Sequence, residues 1–143
     1  TITAVNDAPT VTAPASFALT EDVAGNLTYT GTPFADADSA TLTAAQLTNG
    51  IIIGTPTTTA AYTLPLASDL DAFLNNSKVG SAFDFRVINT TTAGVITMTT
   101  NTGWTIGSSG SQGLMTIAAT AGTVRSFRAR RLGDNSWALY AIS

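Results

Sequence analysis

Five oxygen-bearing side chains in the first third of the chain could bind calcium. Asp36 and Asp38 are separated by one residue, a spacing that lets two carboxylates in a loop point at one cation. Asn6, Asp7 and Asp22 could complete a set, because calcium takes about six to eight oxygen ligands. The same acids could equally be solvated turn residues that bind the local backbone. The sequence is compatible with both interpretations.

A second chemical feature is a cluster of arginines near the end of the chain: Arg125, Arg128, Arg130 and Arg131. On a β-strand, Arg128 and Arg130 would share one face with Ser126, and a cationic stripe would result. The chain as a whole has a net charge of −3, which argues against nucleic acid as the partner. We therefore expect these arginines to form a charged outer strand face or an interface with the carboxylates of a neighbour.

The residue types that are missing exclude several chemistries. The chain has no His and no Cys, so it cannot build a Ser-His-Asp or Cys-His catalytic group. Zinc, haem and iron–sulfur sites that depend on those ligands are excluded as well. No apolar run approaches the ~20 residues that a membrane-spanning helix needs. We expect a protein that is not an enzyme and has no membrane or nucleic-acid partner.

Charge is divided unequally between the two halves of the chain. Residues 1–77 contain seven acids and no base, whereas residues 78–143 contain six bases and two acids. Two arrangements would satisfy this division. The halves could face each other within one subunit, or the acidic face of one copy could meet the basic face of another copy or of a different partner.

Composition and periodicity predict an all-β protein. Thr contributes 27 of the 143 residues, and β-branched side chains favour strands. Period-two alternation recurs, as where Phe83, Phe85 and Val87 share one face while Asp84 and Arg86 share the other. The pattern predicts a β-sandwich with a jelly-roll-like arrangement.

One short helix is predicted near residues 68–76. Ser68 is a suitable N-cap, and Asp69 and Asp71 would lie in the first turn, where carboxylates oppose the helix dipole. The helix would bury an apolar stripe of Leu70, Phe73 and Leu74.

Two tryptophans permit two interpretations. Trp104 and Trp137 could form an exposed platform on which a sugar stacks, as in lectin-like sandwiches. Tryptophans in an all-β protein are more often packed in the core, and we expect packing here.

The N-terminal part resembles a known family of modules. The segments 4–10, 20–23 and 34–39 are similar to half of a cadherin-like or immunoglobulin-like repeat of large bacterial surface adhesins. In that family an Asn-Asp linker and acidic turns bind calcium at domain junctions. The resemblance implies the same ligand role for Asn6, Asp7, Asp22, Asp36 and Asp38.

The remainder of the chain resembles a different group. The segments 42–47, 50–56, 62–65, 79–83, 101–105 and 137–140 are similar to β-rich domains in virion proteins of tailed phages and large algal viruses. Those modules are structural, so this resemblance implies no catalytic residues. It implies a role on the surface of a viral particle.

Together these observations predict an N-terminal β segment or arm over 1–43 and a β-sandwich of the virion type over 44–143. The expected function is that of a capsid decoration (cement) protein or a tail or fibre component. It would form a homotrimer and bind the major capsid protein, with no cofactor other than a possible calcium ion. The alternative is a calcium-dependent adhesin module outside the cell or at its surface.

Overall fold

The structure is a computed structural model that describes residues 34–36, 38–106 and 114–143, the first three through their backbone alone. The described residues form ten strands and two helices. In chain order these elements are β1 (Phe34–Asp36), β2 (Ala40–Thr41), α1 (Ala44–Thr48), β3 (Ile51–Gly54), β4 (Ala60–Thr63), α2 (Ala67–Phe73), β5 (Ala82–Asn89), β6 (Ile96–Thr99), β7 (Trp104–Thr105), β8 (Thr116–Ile117), β9 (Thr123–Gly133) and β10 (Ser136–Ala141).

The strands form two mixed sheets. The large sheet has the order β1-β3-β5-β9-β10-β7, and the small sheet has the order β2-β4-β6-β8. From β1 to β8 the chain alternates between the sheets. Strands β1, β3 and β5 pair in parallel, as do β2, β4 and β6, and β7 is parallel to β10, whereas β8 is antiparallel to β6. Five of the eight pairings among the described strands are therefore parallel. The predicted β-rich fold is confirmed, but a jelly roll is built from antiparallel strands, and that form is not confirmed.

The core lies between the large sheet and a layer made of the small sheet and the two helices. Strand β5 shows how the sequence pattern builds it: Phe85 and Val87 are buried, and Asp84 and Arg86 are exposed on the opposite side. Helix α1 contacts β3 and β5, and α2 contacts β10. The alternation predicted for this strand is confirmed, with Phe83 half-buried.

Two close contacts lie where the chain crosses between the sheets. A Cβ at Gly94 would collide with the carbonyl oxygen of Thr58, so only glycine fits there. The buried side chain of Asn89 donates to the carbonyl oxygens of Gly94 at 2.8 Å and Ala118 at 2.9 Å. These contacts satisfy backbone groups that burial would otherwise leave without partners.

The helices differ from the sequence prediction. Helix α2 begins after Leu66, whose carbonyl accepts from Leu70, and Ser68 lies inside the helix instead of capping it. Tertiary contacts fix this start, because Ala67 donates its backbone N–H to the carbonyl of Thr102 at 3.1 Å. Helix α1 was not predicted, although Thr43 and Gln46 form a capping box at its start.

Part of the predicted N-terminal segment belongs to these sheets. Residues 34–36 and 40–41 pair in parallel with β3 and β4, and Leu42 is buried in the core. Residues 1–33 lie outside the described residues. Neither helix in the described part of the chain is long and apolar enough to cross a membrane.

Candidate functional site

The structure describes only part of the predicted calcium set. Asp36 ends strand β1, whereas the sequence placed it in a loop, and its side chain is not described. Asp38 is exposed and accepts a hydrogen bond from the Thr57 hydroxyl at 3.0 Å. Asn6, Asp7 and Asp22 lie outside the described residues. Within residues 38–106 and 114–143, no three acidic side chains converge to hold a metal ion. Calcium binding stays a prediction.

The four arginines of the predicted cluster lie on two different sides of strand β9. Arg128 and Arg130 are exposed on the side that faces away from the core, as their spacing predicts, and Arg125 and Arg131 are half-buried on the other side. Arg128 forms a bidentate pair with Asp84 of the neighbouring strand, at 2.7 and 2.8 Å. This pair is open to solvent, because both side chains are about half exposed.

Arg131 lies in a hydrogen-bond network inside the subunit. Its Nε and Nη2 each donate to a carboxylate oxygen of Asp71 at 2.9 Å, and its Nη1 donates to the carbonyl of Ser77 at 3.1 Å. Nη2 also donates to exposed Asp134 at 2.8 Å. The side chains of Asp71 and Arg131 are each only 13 % exposed. A carboxylate of the same chain therefore already binds Arg131, and its predicted place in an intermolecular interface stays a prediction.

Asp71 is the acceptor at the centre of this network. Besides Arg131 it accepts from the indole Nε1 of Trp137 and from the backbone N–H of Asn135, both at 2.7 Å. The hydrogen bonds from Arg131 are the main cause that lowers the pKa of the Asp71 carboxyl to about 2. Asp71 lies beyond the first turn of α2, where the sequence analysis had placed it to oppose the helix dipole, and its carboxylate instead binds the hairpin between β9 and β10. This contact joins the acidic half of the chain to the basic half.

Arg125 makes one hydrogen bond and has one buried nitrogen without a partner. Its Nη1 donates to the carbonyl oxygen of Ser143 at 3.4 Å, and its Nε is buried without a hydrogen-bond partner. Arg125 therefore lies on the opposite side of β9 from the stripe predicted for Arg128 and Arg130, as its odd spacing from them implies.

The side of the large sheet that faces away from the core is named the outer face here. Strand register arranges its side chains in rows that cross β3, β5, β9 and β10. In sequence along the strands, these rows contain Ile53, Ile88 and Val124; then Ile51, Arg86 and Ser126; then Asp84, Arg128 and Tyr140; and then Ala82, Arg130 and Ala138.

The outer face combines apolar and charged areas. Ile51 and Val124 are exposed in neighbouring rows. Exposed Ile142 lies on the other side of β9 from Ile51, next to Ser126, whose carbonyl accepts its backbone N–H. Arg86 and Arg130 are exposed and have no ion pair within the described residues. Exposed apolar groups next to free guanidinium groups are typical of surfaces that bind protein.

The two tryptophans are packing residues. Trp137 is fully buried and Trp104 is 7 % exposed, with ring centroids 6.0 Å apart. The indole N–H of Trp104 donates to the carbonyl of Pro65 at 2.7 Å. The expected packing role is confirmed, and neither indole offers an exposed platform for a sugar.

Comparison with family models, with curated proteins and with solved structures gave no match for this chain. The resemblances to adhesin repeats and to virion domains therefore stay predictions. What the described residues define is a β-rich protein of two mixed sheets with one exposed, partly apolar sheet face.

Proposed function

We propose that this chain is a non-enzymatic structural protein of a virion, a capsid decoration protein that binds across subunits of the major capsid protein. The outer face supports this proposal. It offers a flat area in which Ile51, Val124 and Ile142 are exposed and Arg86 and Arg130 are free to pair with carboxylates of a neighbour.

The outer face is also rigid enough to serve as a docking surface. Strands β5 and β9 pair over eight consecutive positions, and the Asp84–Arg128 pair connects them on the exposed side. A surface that is already ordered loses little conformational entropy when it binds. Each bound copy would then contribute a few kcal/mol to the shell, and many copies together would raise the temperature at which the shell opens.

A homotrimer suits this role, because many capsid shells offer three-fold positions. Charged residues make up only 10 % of the chain, so much of the surface is available for contacts between copies. The same surface would serve a tail or fibre component, and the location of the bound protein distinguishes these roles.

Reconstitution on particles tests the proposal. Shells assembled without this protein are mixed with the purified chain, and bound protein is measured by sedimentation while genome release on heating is followed with a DNA dye. We expect the wild type to bind to the head and to raise the release temperature. Light scattering of the purified chain should give the mass of a trimer.

Two variants test whether the protein binds the shell through its outer face. Val124→Asp should abolish binding, because it places a charge in the apolar area. Thr97→Asp is the matched control, because Thr97 is partly exposed on the small sheet. Wild-type protein that leaves shells unbound and equally heat-sensitive would refute the proposal. A chelator that lowers the melting temperature by many degrees would favour the adhesin alternative.

A further inference from the structure

A cleft of about 480 Å³ opens where the end of α2 meets β5 and β10. We name it the aromatic cleft. The side chains that line it include Phe73, Leu74, Asn75, Asn76, Phe83 and Trp137. Its volume lies in the range of small-molecule sites, about 300–1,000 Å³. The outer face is not part of it.

Three aromatic side chains line the cleft: Phe73, Phe83 and Trp137. Phe83 meets the buried indole of Trp137 edge to face, with centroids 5.9 Å apart and planes at 62°. Phe73 is 48 % exposed, which makes it the exposed aromatic ring among the side chains described. The sequence pattern placed Phe73 in the core with Leu70, but the core does not cover it.

The rim of the cleft offers hydrogen-bonding groups that the protein does not use. Asn75 and Asn76 are exposed, and neither side-chain amide has a partner among the described residues. By contrast, the Thr48 hydroxyl already donates to the carbonyl of Ala44, and the Ser81 hydroxyl accepts from Lys78. Each free amide can donate and accept at once.

The lining contains no charged side chain. Asp71, which accepts from the indole N–H of Trp137 in the lining, is paired with Arg131. An ionic ligand would therefore lose its hydration without gaining a partner. A purely apolar ligand would cover the two amides without satisfying them, which also costs free energy.

We propose that the aromatic cleft binds a neutral saccharide. A sugar ring has an apolar C–H face that can lie against Phe73 and Phe83, and hydroxyl groups that can pair with the amides of Asn75 and Asn76. A neutral saccharide therefore matches both the aromatic side chains and the amide groups of the lining. The hydrogen bonds accepted by Asp71 stabilise the geometry of the cleft, because they connect α2 to Trp137 and to the hairpin after β9.

Neutral disaccharides test the proposal on the isolated protein. Maltose, cellobiose, lactose and N,N′-diacetylchitobiose are titrated up to about 50 mM, with saturation-transfer NMR and tryptophan emission as readouts. We expect at least one to bind with a Kd of about 1 mM, the range of single weak sites. Its binding should change the emission of Trp137, because that indole forms part of the lining.

Variants then place the sugar in the cleft. Phe73→Ala should weaken binding about ten-fold or more, which corresponds to about 1.4 kcal/mol, and Phe73→Tyr should retain it. The double change Asn75→Ala and Asn76→Ala should also weaken it. Val79→Ala is the matched control, because Val79 is 68 % exposed and does not line the cleft. Near-ultraviolet circular dichroism checks that each variant is folded.

Two results would overturn the saccharide site. One is the absence of binding by all four disaccharides; the other is binding that Phe73→Ala leaves unchanged, which would put the sugar elsewhere. Neither result bears on the capsid proposal, since Phe73→Ala leaves the outer face intact and should bind particles like the wild type.

Discussion

Replacing Asp71 by asparagine should destabilise the fold far more than the same change at Asp84. Four donors converge on the Asp71 carboxylate: Nε and Nη2 of Arg131, Nε1 of Trp137 and the backbone N–H of Asn135, all at 2.7 to 2.9 Å. An asparagine offers one acceptor oxygen, and its NH₂ group would face donors. The ion pair would also be lost in a place where water reaches little of either side chain.

Two estimates bound the cost from above and from below. Breaking a buried ion pair by removing one partner costs about 3–5 kcal/mol. The lowering of the Asp71 pKa from 3.8 to about 2 corresponds to about 2 kcal/mol in favour of the ionised carboxylate in the folded state. We therefore expect Asp71→Asn to lower the free energy of unfolding at pH 7 by about 2–4 kcal/mol.

Asp84→Asn is the matched comparison. It also breaks a bidentate pair with an arginine, at 2.7 and 2.8 Å, but there water screens both partners. Its effect should be a small fraction of that of Asp71→Asn, because exposed pairs add little to stability. Urea denaturation followed by tryptophan fluorescence measures both. The Asp71 variant should unfold at a urea concentration lower by about 1–2 M.

Equal unfolding midpoints for the two variants would refute this reasoning. They would mean that the burial of Asp71 and its two additional donors contribute nothing beyond an ordinary surface pair. A midpoint for Asp71→Asn above that of the wild type would refute it more strongly, since it would show that desolvation of the pair outweighs the hydrogen bonds.

Three further predictions concern pH and packing. Because the pKa of Asp71 is lower in the folded state, its stabilisation is complete above pH about 4 and is lost between pH about 4 and 2. The stability difference between wild type and Asp71→Asn, measured by urea titration, should therefore shrink over that interval; a constant difference would contradict the assignment. Asn89→Ala should cost about 2–3 kcal/mol, because the buried carbonyl of Gly94 and the partly buried carbonyl of Ala118 lose their donor, and an unchanged melting temperature would contradict this. Gly94→Ala should cost about 2 kcal/mol or more, because its methyl group would overlap the carbonyl of Thr58, whereas Gly133→Ala, with open space around it, should melt like the wild type.

Local patterns in the sequence predicted local features of the fold. The alternation in β5 correctly separated Phe85 and Val87 from Asp84 and Arg86, because period two is a property of a single strand. The outward direction of Arg128 and Arg130 follows from the same rule. A helix near residues 68–76 was also predicted from the local sequence, and α2 (Ala67–Phe73) covers most of that range.

Features that depend on distant residues could not be predicted in this way. Nothing near Asp71 indicates that Arg131 and Trp137, far along the chain, will donate to it. The parallel pairing escaped prediction for the same reason, since each partner strand lies beyond a crossing to the other sheet. Phe73 was expected in the core because the helical stripe rule assumes that packing covers every apolar position.

Helix α1, which precedes α2 in the chain, has a start signal in the sequence. The capping box of Thr43 and Gln46 is visible in the sequence, and it marks the start of α1. A helix of five residues has too little periodicity to be detected by its apolar positions, so its cap was the usable signal.

The alternation of the chain between two sheets affects how such a protein can change over time. From β1 to β5 and from β2 to β6, each crossing returns the chain beside the strand it left, so additional residues in such a crossing need not disturb the pairing on either side. The crossing from β4 to β5 already holds α2, and β3 still pairs with β5 without a bulge. A lineage could therefore acquire new recognition loops by lengthening one crossing at a time while the scaffold stays the same.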